Sequence, residues 1–200
     1  MKRSFEEALI NRRSFYHISC DTPVADHEVV HVIHTAIKHV PSAFNSRTTR
    51  LVLLLGKEHR KLWEIVKNTL RKLLPKEVYV NTEMKVNNSF ASGYGTVLFF
   101  EDTEVVEKFM TNYPLYADNF KNWSQQTSGM HQFVVWTLLE DLGFGASLQH
   151  YNPLIDEGVQ STWHLPKTWK LIAQMPFGMP TASPDEKEYH PVEERVKIFR

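Results

Sequence analysis

The sequence predicts a single α+β domain in which a sheet is buried between helices. Three observations carry that expectation. Segments of helical periodicity alternate with short, wholly apolar runs, the pattern of helices laid on a buried sheet. The chain has 200 residues, 42% of them hydrophobic, which is enough for one well-buried core. Its 23 Lys+Arg balance its 23 Asp+Glu, so the chain is neither a charge-rich disordered segment nor a polycation suited to coating nucleic acid or anionic membrane.

Ser4-Phe5-Glu6-Glu7 reads as a capping box that starts a first helix ending near residue 11 or 12. A second helix is expected over 26–40, stopped by Pro41, because the residue before a proline is pushed out of the helical region. The apolar run 51–55, closed by Gly56, reads as a buried strand. Residues 58–74 follow as a helix, with Leu62, Ile65, Val66, Thr69, Leu70 and Leu73 on its inner face. Residues 97–100 form a second buried strand, and 104–110 a short helix. A long helix over 117–141 carries Phe120, Trp123, Met130, Phe133, Val134, Thr137 and Leu138, and Gly143 and Gly145 end it. A short strand at 146–150, a short helix at 153–161 and a strand at 170–175 complete the domain. Residues 176–200 carry Pro176, Pro180, Pro184 and Pro191 and read as an extended arm. Its tip holds Val196, Ile198 and Phe199, which calls for a surface to lie on, either a partner subunit or the domain's own sheet.

Cys20 is the one cysteine, so no intrachain disulfide is expected. The first ten residues place acids where a signal peptide has its apolar core, and no apolar run approaches the ~20 residues of a membrane span. The expectation is a cytoplasmic protein with neither membrane nor nucleic acid as partner.

One motif is tempting and fails on geometry. His27-Glu28-Val29-Val30-His31 matches the zinc-protease pattern, which needs both histidines turned into a cleft. On a helical wheel His27, His31 and His34 fall beside Lys38, opposite the apolar residues Val29, Val30, Val32, Ile33, Ala36, Ile37 and Val40. No metal site is expected there.

Three separated clusters are polar and cationic where the neighbouring chain is apolar. They are Arg12-Arg13-Ser14 after the first helix, residues 41–47 (Pro-Ser-Ala-Phe-Asn-Ser-Arg) before the first buried strand, and Arg195-Val196-Lys197 on the arm. Guanidinium forks and a serine hydroxyl suit phosphate oxygens, and Asn45 offers both donor and acceptor to an imide edge. Each cluster alone also suits a solvated cap or turn.

Taken in order, the clusters resemble the FMN-dependent nitroreductase family. Further matches are Ala43-Phe44-Asn45-Ser46, Lys61-Leu62-Trp63, Asn122-Trp123-Ser124, Gly129-Met130, Val135-Trp136-Thr137 and Gln149-His150-Tyr151-Asn152-Pro153. These are similar to a compact subgroup that includes fungal fatty-acid-response proteins and bacterial relatives. The resemblance implies a nitroreductase-like fold with a mixed or antiparallel central sheet. It also implies a homodimer with FMN at each interface site and an arm docking on the partner. Arg12, Arg13 and Ser14 would then bind the phosphate and ribityl end, with Arg195 and Lys197 closing on the phosphate. Ser42, Ala43, Phe44, Asn45, Ser46 and Arg47 would line the ring, Asn45 at its polar edge, and Gln149, His150 and Tyr151 would pack beside it. Two positions depart from the common pattern: Tyr16 stands where a basic residue is frequent, and Arg47 where Gln is frequent. The implied activity is ping-pong reduction of nitroaromatic or quinone-type acceptors by NADH or NADPH, with the chemistry carried by FMN. The alternative is a flavin-binding stress-response or regulatory protein whose reductase activity is incidental.

Overall fold

The computed structural model describes residues 4–200. Helix α1 (Phe5–Asn11) begins with the expected capping box: Glu7 N–H donates to Ser4 Oγ at 3.2 Å, and Ser4 N–H to Glu7 Oε2 at 2.7 Å. Strand β1 (Ile18–Ser19) follows, then α2 (Asp26–His39), whose next residue Val40 is extended ahead of Pro41. Strand β2 (Thr49–Leu55) runs directly into α3 (Gly56–Leu73). Next come α4 (Lys76–Val86), a π-helical turn at Asn87–Ala91, and β3 (Gly95–Asp102). Helix α5 (Thr103–Asn112) leads to α6 (Ala117–Asp141) and β4 (Gly145–Ala146). Helix α7 (Asp156–Thr162) and β5 (Trp169–Pro180) complete the domain.

The named strands pair antiparallel in the order β1-β5-β3-β2, with β4 also on β5. Strand β3 shows why its sequence is apolar without alternation. Val97 and Phe99 enter the core under α2 and α6, while Leu98 and Phe100 enter the core under α3, α4 and α7. All four are fully buried.

Several expectations are corrected. Helix α4 is an element the sequence pattern does not predict, and the strand expected at 146–150 is reduced to β4 and a single bridge between Gln149 and Gln174. Strand β5 extends through Pro176 to Pro180, so residues 176–180 belong to the sheet and the arm begins after them. The prolines fit because extended backbone needs only their carbonyls, and Ser147 N–H donates to Pro176 O at 3.2 Å. In α3, Leu73 is exposed and the inner face is His59, Leu62, Trp63, Val66 and Leu70. In α6 the buried face includes Ser124, Thr127, Ser128, His131 and Thr137, while Met130 and Phe133 point outward. The end of α6 follows the expected cap: Gly143, at φ +91°, donates to Glu140 O at 2.8 Å, and Phe144 to Leu139 O at 2.9 Å. Among the described residues no helix is long and apolar enough to cross a membrane.

Candidate functional site: an arginine cleft and a strained loop

The end of α1 delivers Arg12, Arg13 and Ser14 to the edge of the sheet. Ser14 forms a parallel bridge with Ala146, and Phe15 N–H donates to Ala146 O at 2.9 Å. The segment then enters β1, and Thr181 N–H closes on His17 O at 2.9 Å. Residues 12–17 and 182–185 thereby line a cleft of about 330 Å³.

Asp185 also lines this cleft, but among the described residues the two arginines form no ion pair. Arg13 donates a guanidinium N–H to the Asp185 backbone carbonyl, a neutral acceptor. Arg12 lies over Trp136, its guanidinium carbon 4.5 Å from the ring centroid. Neither arginine has a carboxylate partner among the described residues. Burial lowers the Arg12 pKa, and the adjacent Arg13 charge lowers it further. Two adjacent arginines with no ion pair among the described residues have the chemistry to take an anion.

The second cluster is a loop under backbone strain. Phe44, Asn45 and Arg47 have φ of 54°, 52° and 51°, a left-handed conformation that side chains disfavour by roughly 1 kcal/mol or more each. The surroundings hold it. Arg47 N–H donates to Ser42 Oγ at 2.9 Å, and Arg50 donates to Arg47 O at 2.6 Å. The Phe44 ring stacks on Trp123 at 5.7 Å and packs against Tyr113, Tyr116 and Phe120. The packing and hydrogen bonds around the loop thus maintain its strained backbone. Arg47, the departure noted in the sequence, donates from Nε to Asn45 Oδ1 at 3.0 Å. That bond occupies one lone pair of Asn45 Oδ1 and fixes the amide's orientation, with its NH2 as the donor end.

The third segment lies along β5 next to the cleft. Gln149 bridges Gln174, and its Nε2 donates to Ser147 Oγ at 3.1 Å. His150 is exposed. The Tyr151 ring turns inward, edge-on to Trp63 and Phe90, and burial pushes its hydroxyl up to about 12. Tyr16, the other departure, packs on Phe90, and Lys85 of α4 places its ammonium 5.9 Å from the Tyr16 ring centroid. A cation therefore stands beside position 16 although none is encoded there. No sequence signal pointed to Lys85 or to the pairing of Arg12 with Trp136.

The single chain brings residues 12–14 and 147–149 to one sheet edge. Ser42 and Arg47 line a different hollow, with Ile37, Val40 and His131. Arg195 and Lys197 sit on the arm, where Arg195 N–H bonds to Val192 O and Lys197 Nζ to Glu193 O. The histidines of the zinc-like motif are exposed, and no cluster of metal-ligating side chains occurs among the described residues.

Comparison with known proteins identifies the family and the fold. The nitroreductase family model matches residues 9–179. The chain is 33% identical over 198 residues to HBN1 of Saccharomyces cerevisiae, covering 98% of this chain and 97% of that one. It is 32% identical over 188 residues to nitroreductase FRM2 of the same organism, covering 93% of each. The solved nitroreductase CinD from Lactococcus lactis, in complex with nicotinic acid, is 42% identical with a TM-score of 0.90, over 98% of this chain and 100% of that one. The chain therefore belongs to the nitroreductase family and is a nitroreductase-like oxidoreductase.

Proposed function

We propose that this chain is an FMN-dependent oxidoreductase that works as a homodimer. It takes hydride from NADH or NADPH and reduces nitroaromatic or quinone-type acceptors in a ping-pong cycle. The observation that carries this reading is the pair of arginines, Arg12 and Arg13, held without a carboxylate partner among the described residues, in a cleft that also offers the Ser14 hydroxyl. That donor set fits a phosphate monoester in charge and geometry. FMN, when bound, supplies the hydride chemistry. The protein's residues bind and orient: Arg12, Arg13 and Ser14 at the phosphate, and Asn45, oriented by Arg47, at the polar edge of the ring. Ser42, Ala43, Phe44 and Ser46 line the ring from the strained loop, and Gln149, His150 and Tyr151 stand beside it. Support for an aromatic acceptor comes from CinD, which was also solved with 4-nitrophenol.

The homodimer rests on surfaces the single chain leaves open. Helix α6 turns Met130 and Phe133 outward beside Val40 and Pro41 around a shallow apolar hollow of about 240 Å³. The arm leaves Ile198 73% and Phe199 93% exposed, and two such apolar side chains at the end of an arm are covered by docking on a second copy. Docking also carries Arg195 and Lys197 to a phosphate, and brings the 42–47 loop of one subunit to the arginine cleft of the other.

The direct test is optical. Purified protein is expected to be yellow, to lose its colour anaerobically on adding NADH or NADPH, and to regain it with a nitroaromatic. Double-reciprocal plots are expected to be parallel; intersecting lines would contradict the ping-pong cycle. Arg13→Ala is expected to weaken FMN binding about ten- to a hundredfold, the range for a lost charged hydrogen bond. Removing the residues after Pro191 is expected to lower FMN retention as well, measured by ultrafiltration. Unchanged retention in both variants would refute the phosphate assignment.

A further inference from the structure

We propose that Trp136 is a positioning residue of the arginine cleft: its indole face holds the Arg12 guanidinium where it meets the phosphate. The inference rests on the FMN reading above.

A free arginine side chain carries about 2 kcal/mol of rotamer entropy, so a useful one must be held in advance. A carboxylate would hold Arg12 but would also neutralise it. An aromatic face attracts the cation and leaves its charge available, and indole is the strongest such face. The Arg12 guanidinium carbon lies over the Trp136 ring, 4.5 Å from its centroid. Trp136 lies within α6, the 25-residue helix that also packs against α1, so the face is backed by a rigid element.

The Trp136 N–H supports the same reading. Nε1 is buried and has no acceptor among the described residues. An unpaired buried donor costs on the order of 1–3 kcal/mol, a cost that Leu or Phe at this position would avoid. Its placement is explained if the ring face is what the site needs. Burial and Arg13 both disfavour the charge on Arg12, and the Trp136 face acts against them.

The test compares FMN with riboflavin, which lacks the phosphate. The flavin-stripped full chain is titrated with each, following quenching of flavin fluorescence. Trp136→Leu is expected to weaken FMN about tenfold and leave riboflavin unchanged; Trp136→Phe, which keeps a weaker face, is expected to weaken FMN about threefold. Equal losses for both flavins, or no loss for either, would overturn the proposal, since a merely structural tryptophan does not sense the phosphate. If Trp136→Leu does not fold, the Phe variant decides by the same ratio. Arg13→Ala separates the two readings. If it too leaves the FMN-to-riboflavin ratio unchanged, the phosphate site is elsewhere. If it lowers the ratio while Trp136→Leu does not, only the role of Trp136 falls.

Discussion

Gly178→Ala is expected to destabilise the protein by about 3 kcal/mol or more, and to lower FMN retention in whatever folds. Gly178 lies in β5 where three backbone segments converge. A Cβ there would stand 2.2 Å from the Ser19 carbonyl oxygen and 3.0 Å from the Tyr94 backbone nitrogen, with the Gly93 Cα at 3.2 Å. All three are backbone atoms, so no side chain can swing aside. Relief requires β1 to lift from β5, breaking the pairing of Ile18 with Pro180 and Ser19 with Met179. That pairing and the Thr181-to-His17 hydrogen bond also close the wall of the arginine cleft. The strain therefore reaches the site as well as the fold. Urea unfolding and ultrafiltration would measure the two effects, and an unchanged midpoint would mean that β1 docks differently. Gly129→Ala is the control, because a Cβ there meets nothing within 4 Å and the backbone is helical. It is expected to be neutral or slightly stabilising.

The parts of the fold legible in the sequence are those in which one local signal dominates. The capping box placed α1, and the apolar runs of β2 and β3 announced burial on both faces. Helix α4 was illegible because only Tyr79 and Val86 are buried, while Val78 and Val80 are exposed and β-branched. No helical stripe exists to be read there. The inner face of α6 was misread for a related reason. Its interior positions mix small polar residues such as Ser124, Thr127 and Ser128 with Phe120, Val135 and Leu139, while Met130 and Phe133 face outward. At the site, the charge of Arg12 and Arg13 was legible, since adjacent arginines stand out in any reading. The left-handed turn at Phe44, Asn45 and Arg47 was not, because no glycine marks it. Nor were the contacts of Arg12 with Trp136 and of Lys85 with Tyr16, which join distant parts of the chain only after packing.

Acidification is expected to remove about 3 kcal/mol of stability by pH 4 through one residue, His59. Its ring is 1% exposed, packed edge-on to Trp63 at 6.5 Å. The hydrogen bonds determine its tautomer. Trp63 Nε1–H donates to Thr96 Oγ1 at 3.1 Å, which leaves the Thr96 hydroxyl hydrogen for His59 Nδ1 at 2.8 Å. His59 Nε2–H is then the donor to Ala91 O at 3.2 Å, tying α3 to the π-helical turn. Every polar atom in this set is matched only while the imidazole is neutral. Burial accordingly pushes the His59 pKa down to about 4 from the usual 6.5, with the Ala91 carbonyl opposing the shift weakly. The unfolded chain takes up its proton first, so stability falls as pH drops from about 6.5 and levels off below about 4. A second N–H would meet the Thr96 oxygen, whose own hydrogen would then have to find an acceptor in a dry core. His59→Gln is expected to be less stable at pH 7 but to lose less stability between pH 7 and 4, by that same margin of about 3 kcal/mol. Urea unfolding of both proteins across this range makes the comparison, and identical pH dependence would show that His59 is not the group that titrates. Trp63 and Phe90 also pack against Tyr151, so the acid transition is expected to loosen the segment beside the cleft before the rest of the sheet gives way.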